Sequence, residues 1–459
     1  MNTGDTLSVT ARFDDIVTVN LAGGIPSVSL LVGSITVQAL YASGTGTNAL
    51  TFVTTIVTGL NDNDGVAIPL NAVNLNGGLI QDTAGNQSTL SHEAVNSNPD
   101  YLVDTSAPTV VITSDISVLK AGVTANITFT FSEDPGSSFT WDGATGDVQI
   151  SGGTLSAILG AGLLRTAVFT PTANQGNGVA SVSVNANSYE DAAGNLGLAG
   201  ISPSFSLDTV APTLNSIAIS GAVGANTSPS DATVKLLNSG DALLITATFS
   251  EVVLLDLTAG SPTLSVLIGS STVLAIYVSG SGSSALVFST TVVSGQTDTD
   301  GVAISLNALS LNGATLKDVA GNPGVITSLA VPANTGYVID TTSPTVSITA
   351  NASALKLGET ATITFTFSED PGTSFTWDGS VGDIALTGGT LGAITGTDLS
   401  RTAIFTPTAN LASTTASISV TNNSYQDAAG NNGSTASFTT LTFDTLAPSV
   451  SSLALTSTT

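Results

Sequence analysis

The segment Ala125-Asn-Ile-Thr-Phe-Thr-Phe-Ser-Glu-Asp134 reappears as Ala361-Thr-Ile-Thr-Phe-Thr-Phe-Ser-Glu-Asp370, 236 residues further on. Its first seven residues alternate apolar and polar, the period of a strand with one buried face. An acidic pair follows at once. Working outward, Asp104, Thr105 and Pro108 recur as Asp340, Thr341 and Pro344, Asp191 as Asp427, and Asp82 as Asp318, all at the same separation. A fixed period of that length without insertion marks stacked modules. An enzyme needs one unique pocket, whereas a tandem array needs reach, stiffness and copy number, and the chain reads as non-enzymatic.

Other strand patterns are short and regularly spaced. Val179 to Val184 and Thr166 to Thr170 also alternate, and no stretch repeats at 3.6 residues. β-branched residues are abundant and strong helix formers scarce, so the expected fold class is all-β. A second marker, Asp-Thr-x-Ala/Ser-Pro, begins at Asp104, Asp208, Asp340 and Asp444, with spacings of 104, 132 and 104. Long and short modules therefore alternate. The expected division is 1–104 (long type, lacking its first strand), 105–208 (short), 209–340 (long), 341–444 (short) and 445–459, the first strand of a following module. About 100 residues and about seven strands are the size of an immunoglobulin-like β-sandwich. Proline at each marker stops the ladder and keeps the linker short and stiff. Four such modules in a linear array, at about 40 Å each, reach on the order of 160 Å.

The period also compares the ends. Residue 1 corresponds to residue 237, so the first module lacks the counterpart of Pro212 to Leu236, including the strand Leu214 to Ser220. Pro448 to Thr459 matches the opening of a long module. Met1 leads straight into Asn2-Thr-Gly-Asp5 with no signal-peptide pattern. Two expectations follow. Either the chain is cut from a longer array, or the tail strand completes the first module of an adjacent copy by strand addition, making a homo-polymer.

Composition narrows the partners. Charged residues make up 9% and hydrophobic residues 42%, without a long apolar run, which excludes acidic disorder and a transmembrane helix. With 33 acidic residues against 7 basic and a net charge of −26, nucleic acid and anionic membranes are poor partners. Metal cations are the natural counter-charge. There is no cysteine, so no disulfide staples the fold.

Acidic motifs recur in register. The linker acids are Asp104, Asp208 and Asp340. An acid closes a strand in Phe131-Ser-Glu133, Phe249-Ser-Glu251, Phe367-Ser-Glu369 and, as an aspartate, Phe13-Asp-Asp15. A turn recurs as Asp82 to Asn86, Asp191 to Asn195, Asp318 to Asn322 and Asp427 to Asn431. In an immunoglobulin-like sandwich the loop after the second strand and the turn before the last lie at the pole where the chain enters. The expected groups are Asp104 with Glu133 and Asp191, Asp208 with Glu251 and Asp318, and Asp340 with Glu369 and Asp427. Three carboxylates within about 5 Å repel by several kcal/mol at an effective dielectric near 20. Either they stay apart in solvent or a hard divalent cation joins them, and Ca²⁺ accepts 6–8 oxygens from carboxylates, Asn and carbonyls. Zn²⁺ does not suit a chain with no Cys and one His. Asp62, Asp64, Asp298 and Asp300, in two Asp-x-Asp-Gly turns, form a weaker candidate set, because an EF-hand loop also needs Glu at its twelfth position. For any single motif, turn chemistry alone accounts for the residues.

The markers Phe-Ser-Glu, Phe169-Thr-Pro-Thr-Ala-Asn174, Asp-x-Ala-Gly-Asn and Asp-Thr-x-Ala-Pro resemble the bacterial immunoglobulin-like repeats of giant surface adhesins, including RTX-type and biofilm-associated proteins. The resemblance implies an extracellular, cell-surface array whose junctions are rigidified by Ca²⁺ and which projects a terminal binding domain. The first module departs from it with Asp14-Asp15 in place of Ser-Glu. Three functions are weighed: an adhesin spacer, a self-assembling filament or layer subunit, and a carbohydrate-binding array using Trp141 and Trp377. His92, whose counterpart is Ser328, reads as a loop residue, and Arg165 and Arg401 as partners in local ion pairs.

Overall fold

The computed structural model describes residues 1–456. Two compact units are formed, Met1–Val210 and the chain from Ala211 onward. Among the described residues there is no α-helix, and no helix is long and apolar enough to cross a membrane. Each unit holds a long and then a short module, and no sheet pairs strands across 104/105 or 340/341 among the described residues.

The short module of the first unit is a two-sheet sandwich. One sheet orders Gly153–Leu155, Leu164–Pro171, Ala125–Phe131 and Val110–Ser114. The other orders Val148–Ser151, Gly178–Val184, Phe205–Leu207 and Val118–Leu119. The opening segment is split. Val110–Ser114 runs antiparallel to Ala125–Phe131, and Val118–Leu119 runs parallel to Phe205–Leu207. With Leu159–Ala161 beside Leu164–Pro171 and Gly200–Ile201 beside Gly178–Val184, each sheet has five strands, and the inner faces pack, the immunoglobulin-like solution for burying one face of each. The alternation read from Ala125 to Phe131 does this: Ala125, Ile127, Phe129 and Phe131 are buried. Phe139 closes the pole against Phe131 at 4.8 Å, and Tyr189 meets Phe131 at 5.3 Å, both edge-on. Such contacts contribute about 0.5–1.5 kcal/mol each beyond area burial. The second unit repeats the set with Phe367, Phe375 and Tyr425.

The long modules differ from the sequence expectation in one respect. Phe249-Ser-Glu251 does not close a strand. Ala242–Asp256 runs through it for 15 residues, pairing first with Ser283–Thr291 and then with Thr315–Lys317. The register shifts between Thr248 and Val253, so Glu251 sits on a bulge. Phe13-Asp-Asp15 lies likewise inside Thr6–Asn20, between Arg12 and Val17. A bulge bends a strand and re-aims the side chains on it, which lets one continuous strand present an acid where the short modules use a strand end. In the second unit Leu214–Val223 pairs with Ala242–Phe249 and contributes Leu214, Ile217 and Ile219 to the core. The described part of the tail forms no strand, and Val450, Leu453 and Leu455 are exposed.

Candidate metal centres

The turn Asp191-Ala-Ala-Gly-Asn195 builds the floor of the first centre. Asp191 Oδ1 accepts the N–H groups of Ala193 at 2.8 Å and Asn195 at 2.9 Å, and Oδ2 accepts Asn195 Nδ2 at 2.9 Å. Gly194 takes φ +86°, the left-handed conformation that a side chain disfavours. Asn195 Nδ2 also donates to the backbone carbonyl of Asp104 at 2.9 Å, which ties the linker to the turn. Asp104 is fixed in turn, its Oδ1 accepting Ser106 N–H at 2.9 Å. Glu133 leaves the end of its strand toward them. One carboxylate oxygen from each of Asp104, Glu133 and Asp191 lies within 4.8 Å of the others.

The second unit repeats this centre. Asp427 accepts Asn431 N–H and Nδ2, each at 2.9 Å, and Asn431 Nδ2 donates to Asp340 carbonyl at 2.9 Å. Asp340, Glu369 and Asp427 bring their oxygens within the same 4.8 Å. The electrostatics of both centres are unfavourable for bare carboxylates. Burial pushes the Glu369 carboxyl up, and the charges of Asp340 and Asp427 add to it, to about 7. Glu133 is raised for the same reasons, burial first and then Asp104 and Asp191.

Glu251 and Asp318 also come together, with oxygens within 4.8 Å. Asp318 accepts Asn322 N–H at 2.8 Å and Nδ2 at 2.7 Å, and both residues are buried. Asp208 belongs to the first unit, where its Oδ1 accepts Val210 N–H at 3.1 Å.

The other candidates are used differently. Asp82 holds Asn86 as Asp191 holds Asn195, and Asp15 accepts its neighbour Ile16 N–H, but neither joins a three-acid cluster among the described residues. Asp62 is an internal acceptor. It is 3% exposed and takes N–H groups of Gly33 and Gly65 at 2.8 Å and Asp64 at 3.2 Å. Burial raises its carboxyl, and the bonds from Gly33 and Gly65 outweigh this and hold it below the usual value. Asp298 does the same for Gly269 at 2.7 Å and Gly301 at 2.9 Å. Asp64 accepts Ser97 Oγ at 3.2 Å, and neither it nor Asp300 enters a three-acid cluster among the described residues. Asp62→Ala strands buried donors, so it is expected to cost about 2–3 kcal/mol in denaturant unfolding, with the same loss in Ca²⁺ and in chelator. A loss confined to Ca²⁺ would instead make Asp62 a ligand.

Arg165 pairs with Asp134 at 3.3 Å and Arg401 with Asp370 at 3.1 Å, so these acids are neutralised locally. Trp141 is buried and Trp377 half-buried against the cores. Their indole N–H groups donate to Leu155 and Leu391 carbonyls, which is an anchoring arrangement. His92 Nε2 accepts Ala72 N–H at 2.8 Å in a loop.

Two contributors to the junctions escaped the sequence reading. Asn238 of the long module donates to Ala429 carbonyl at 3.0 Å, on the acidic turn of the following short module. Its counterpart Asn2 places Nδ2 against Gly194. The Tyr189 and Tyr425 hydroxyls lie 3.0 and 3.1 Å from the carbonyls of Pro108 and Pro344, the linker prolines. The 236-residue period was the available signal for both pairs, which carry no charge to draw attention.

The fold and junctions define a tandem array of immunoglobulin-like modules with acidic joints. Residues 104–207 and 340–443 each match the family model of the bacterial Ig-like domain, so the two short modules are bacterial Ig-like repeats. No curated protein matches the chain. Among solved structures, it is similar to the I9–I11 tandem of titin (9% identity, 74% of this chain and 97% of that one, TM-score 0.23). It is also similar to titin domains A168–A170 (9%, 72% and 95%, 0.21) and to the extracellular region of plexin A4 (8%, 96% and 48%, 0.21). At such scores these likenesses say nothing of function.

Proposed function

We propose that the chain is a Ca²⁺-stiffened extender of a secreted bacterial surface adhesin, a passive strut that holds a binding domain away from the cell. The observation that carries this reading is the composition of the acid clusters. In each of the two short modules one carboxylate comes from the linker and two from the module that the linker enters. A cation held by all three joins covalent neighbours at a point where the backbone would otherwise bend. The residues fit a hard cation. Their donors are carboxylate oxygens, the aspartates are pre-aimed by their turns, and Glu133 and Glu369 are raised by burial first and then by the neighbouring carboxylates. Ca²⁺, with 6–8 oxygens and loose geometry, suits such a set better than Mg²⁺, which requires a tight octahedron. Asp104, Glu133 and Asp191 hold one ion and Asp340, Glu369 and Asp427 another. The Asn195 and Asn431 bonds already tie each linker to its turn, so the ion removes the remaining freedom.

Small-angle scattering tests this directly. In about 10 mM Ca²⁺, well above the roughly 10⁻⁴–10⁻³ M range of extracellular modules, the maximum dimension should be long and sharply defined. In chelator the distance distribution should broaden and shorten. Identical curves under the two conditions would remove the cation from the mechanism.

A further inference from the structure

The two short modules repeat closely around their tryptophans, and a few exchanges open a groove in one of them. In the first, Trp141 is 8% exposed and the hairpin beside it is closed. Ile158 N–H donates to Trp141 carbonyl at 3.1 Å, and Leu159–Ala161 pairs as a strand with Leu164–Thr166. In the second, Ile394 N–H makes the same bond to Trp377 carbonyl at 3.1 Å, but only the Thr395–Thr402 bridge of that hairpin remains. Trp377 is correspondingly half-buried. A cavity of about 560 Å³ lies there, lined by Trp377, Asp378, Val381, Ile394, Thr397 and Arg401 among others.

The exchanges also change the chemistry of the wall. In the first module Thr145 Oγ1 donates to Asp142 Oδ2 at 3.1 Å. Val381 stands at that position in the second, so the Asp378 carboxylate loses that threonine hydroxyl. Its Oδ1 still accepts the N–H groups of Ser380 at 2.8 Å and Val381 at 2.7 Å, which hold the group in place. Thr397 brings a hydroxyl to the groove where the first module has Ala161. Arg401 is 5% exposed and already paired with Asp370, so it offers no free positive charge to an anion. The indole is anchored by its nitrogen edge on Leu391 carbonyl at 3.2 Å, a fixed apolar plate. An ionised carboxylate only accepts hydrogen bonds, so a ligand beside Asp378 must donate them. A plate with a few convergent polar groups selects a molecule that is apolar on one face and bears hydroxyls at its edge. We propose that the groove on Trp377 binds a neutral pyranose sugar, its C–H face stacked on the indole, one hydroxyl donating to Asp378 and another bonded to Thr397. A cationic ligand would also stack on the indole, but it would share the groove with the Arg401 guanidinium. Carbohydrate binding is thus narrowed from an array to one site, since Trp141 lies beneath a closed hairpin. The inference is independent of the cation reading, because none of Asp340, Glu369 and Asp427 lines the groove.

The test is calorimetric titration of the full chain with the methyl pyranosides of glucose, galactose and mannose, in Ca²⁺ and in chelator. Tetramethylammonium serves as the competing probe. At least one glycoside should bind at one site per chain under both conditions. The double exchange Val381→Thr with Thr397→Ala installs residues with which the first module already folds. It should leave the denaturation midpoint in place and weaken sugar binding at least about tenfold. Asp378→Asn keeps an acceptor for the two loop N–H groups and turns the other oxygen into a donor. It should weaken binding by a similar factor. The proposal is overturned by a chain that binds none of the glycosides, by two equal sites per chain, or by a double variant that binds like wild type. Binding of tetramethylammonium alone overturns it as well.

Discussion

Glu369→Gln is expected to make the cation-free protein more stable and the Ca²⁺-bound protein less stable than wild type. The inversion comes from the position of Glu369 between Asp340 and Asp427. Its folded pKa, about 7, lies above the ordinary 4.5, with burial the largest cause. A carboxyl raised in this way binds its proton more tightly when folded. In chelator, no penalty is felt below about pH 4.5. Stability then falls as pH rises toward about 7, and the whole penalty is present above that. It amounts to at most about 3 kcal/mol for this group. The amide cannot ionise, so in chelator near pH 8 the variant should unfold at higher denaturant concentration. Ca²⁺ reverses the order. At about 10 mM, with a dissociation constant of about 10⁻⁴–10⁻³ M, one site stabilises the wild type by about 1.4–2.7 kcal/mol. The variant forfeits most of that with its third charge. Binding by the wild type should weaken as pH drops below about 7, because the proton competes with the ion. Chemical denaturation of both proteins, with and without Ca²⁺, at pH 5 and pH 8 reads all four corners. Parallel behaviour of the two proteins in every corner would show that the cluster is only a set of turns.

Gly433→Ala should be among the most damaging single-atom additions in the second unit. A Cβ there would stand 2.2–2.4 Å from three carbons of the Tyr425 ring. That ring cannot retreat. It is 1% exposed, it packs edge-on against Phe367 and Phe375, and its hydroxyl lies between the carbonyls of Pro344 and Ser434. Overpacking of a rigid site costs about 1–3 kcal/mol, occasionally more, and a contact this short against an immobile ring falls at the upper end, about 3 kcal/mol. Gly392→Ala is the matched control, with nothing closer than 3.7 Å to the added atom, and should shift stability by less than about 0.5 kcal/mol. Because Tyr425 holds the linker proline, Gly433→Ala should also weaken Ca²⁺ binding at the adjacent centre. A variant as stable as the control would mean that the ring is free to move.

These predictions rest on features of different legibility. The sandwich of the short modules was readable from Ala125 to Phe131, because alternation of apolar and polar residues is a property of the chain segment itself. The acid clusters were readable because the repeat sampled each motif more than once, and immunoglobulin-like topology says which loops share a pole. Arg165 and Arg401 were expected in ion pairs, and their partners are Asp134 and Asp370, each 31 residues earlier in the chain. Asp62 was read as a weaker candidate ligand, and it accepts hydrogen bonds from backbone groups 29 residues before it and 3 after it. Partners at such separations are chosen by strand pairing, and no local pattern encodes them.

The amino-acid sequence alone determined the repeat length, the all-β class, the module order and the carboxylates at the junctions. Each is a matter of residue type and spacing, and the same spacing returns 236 residues later. Tertiary structure decided the rest. It ran one strand through Glu251 by way of a bulge, consumed Asp62 inside a turn, and set Asn238 and Tyr425 on the joints. The physical reason is common to all three. Burial, repulsion and hydrogen-bond satisfaction depend on which distant segments lie side by side, and that is settled only when the sheets have formed.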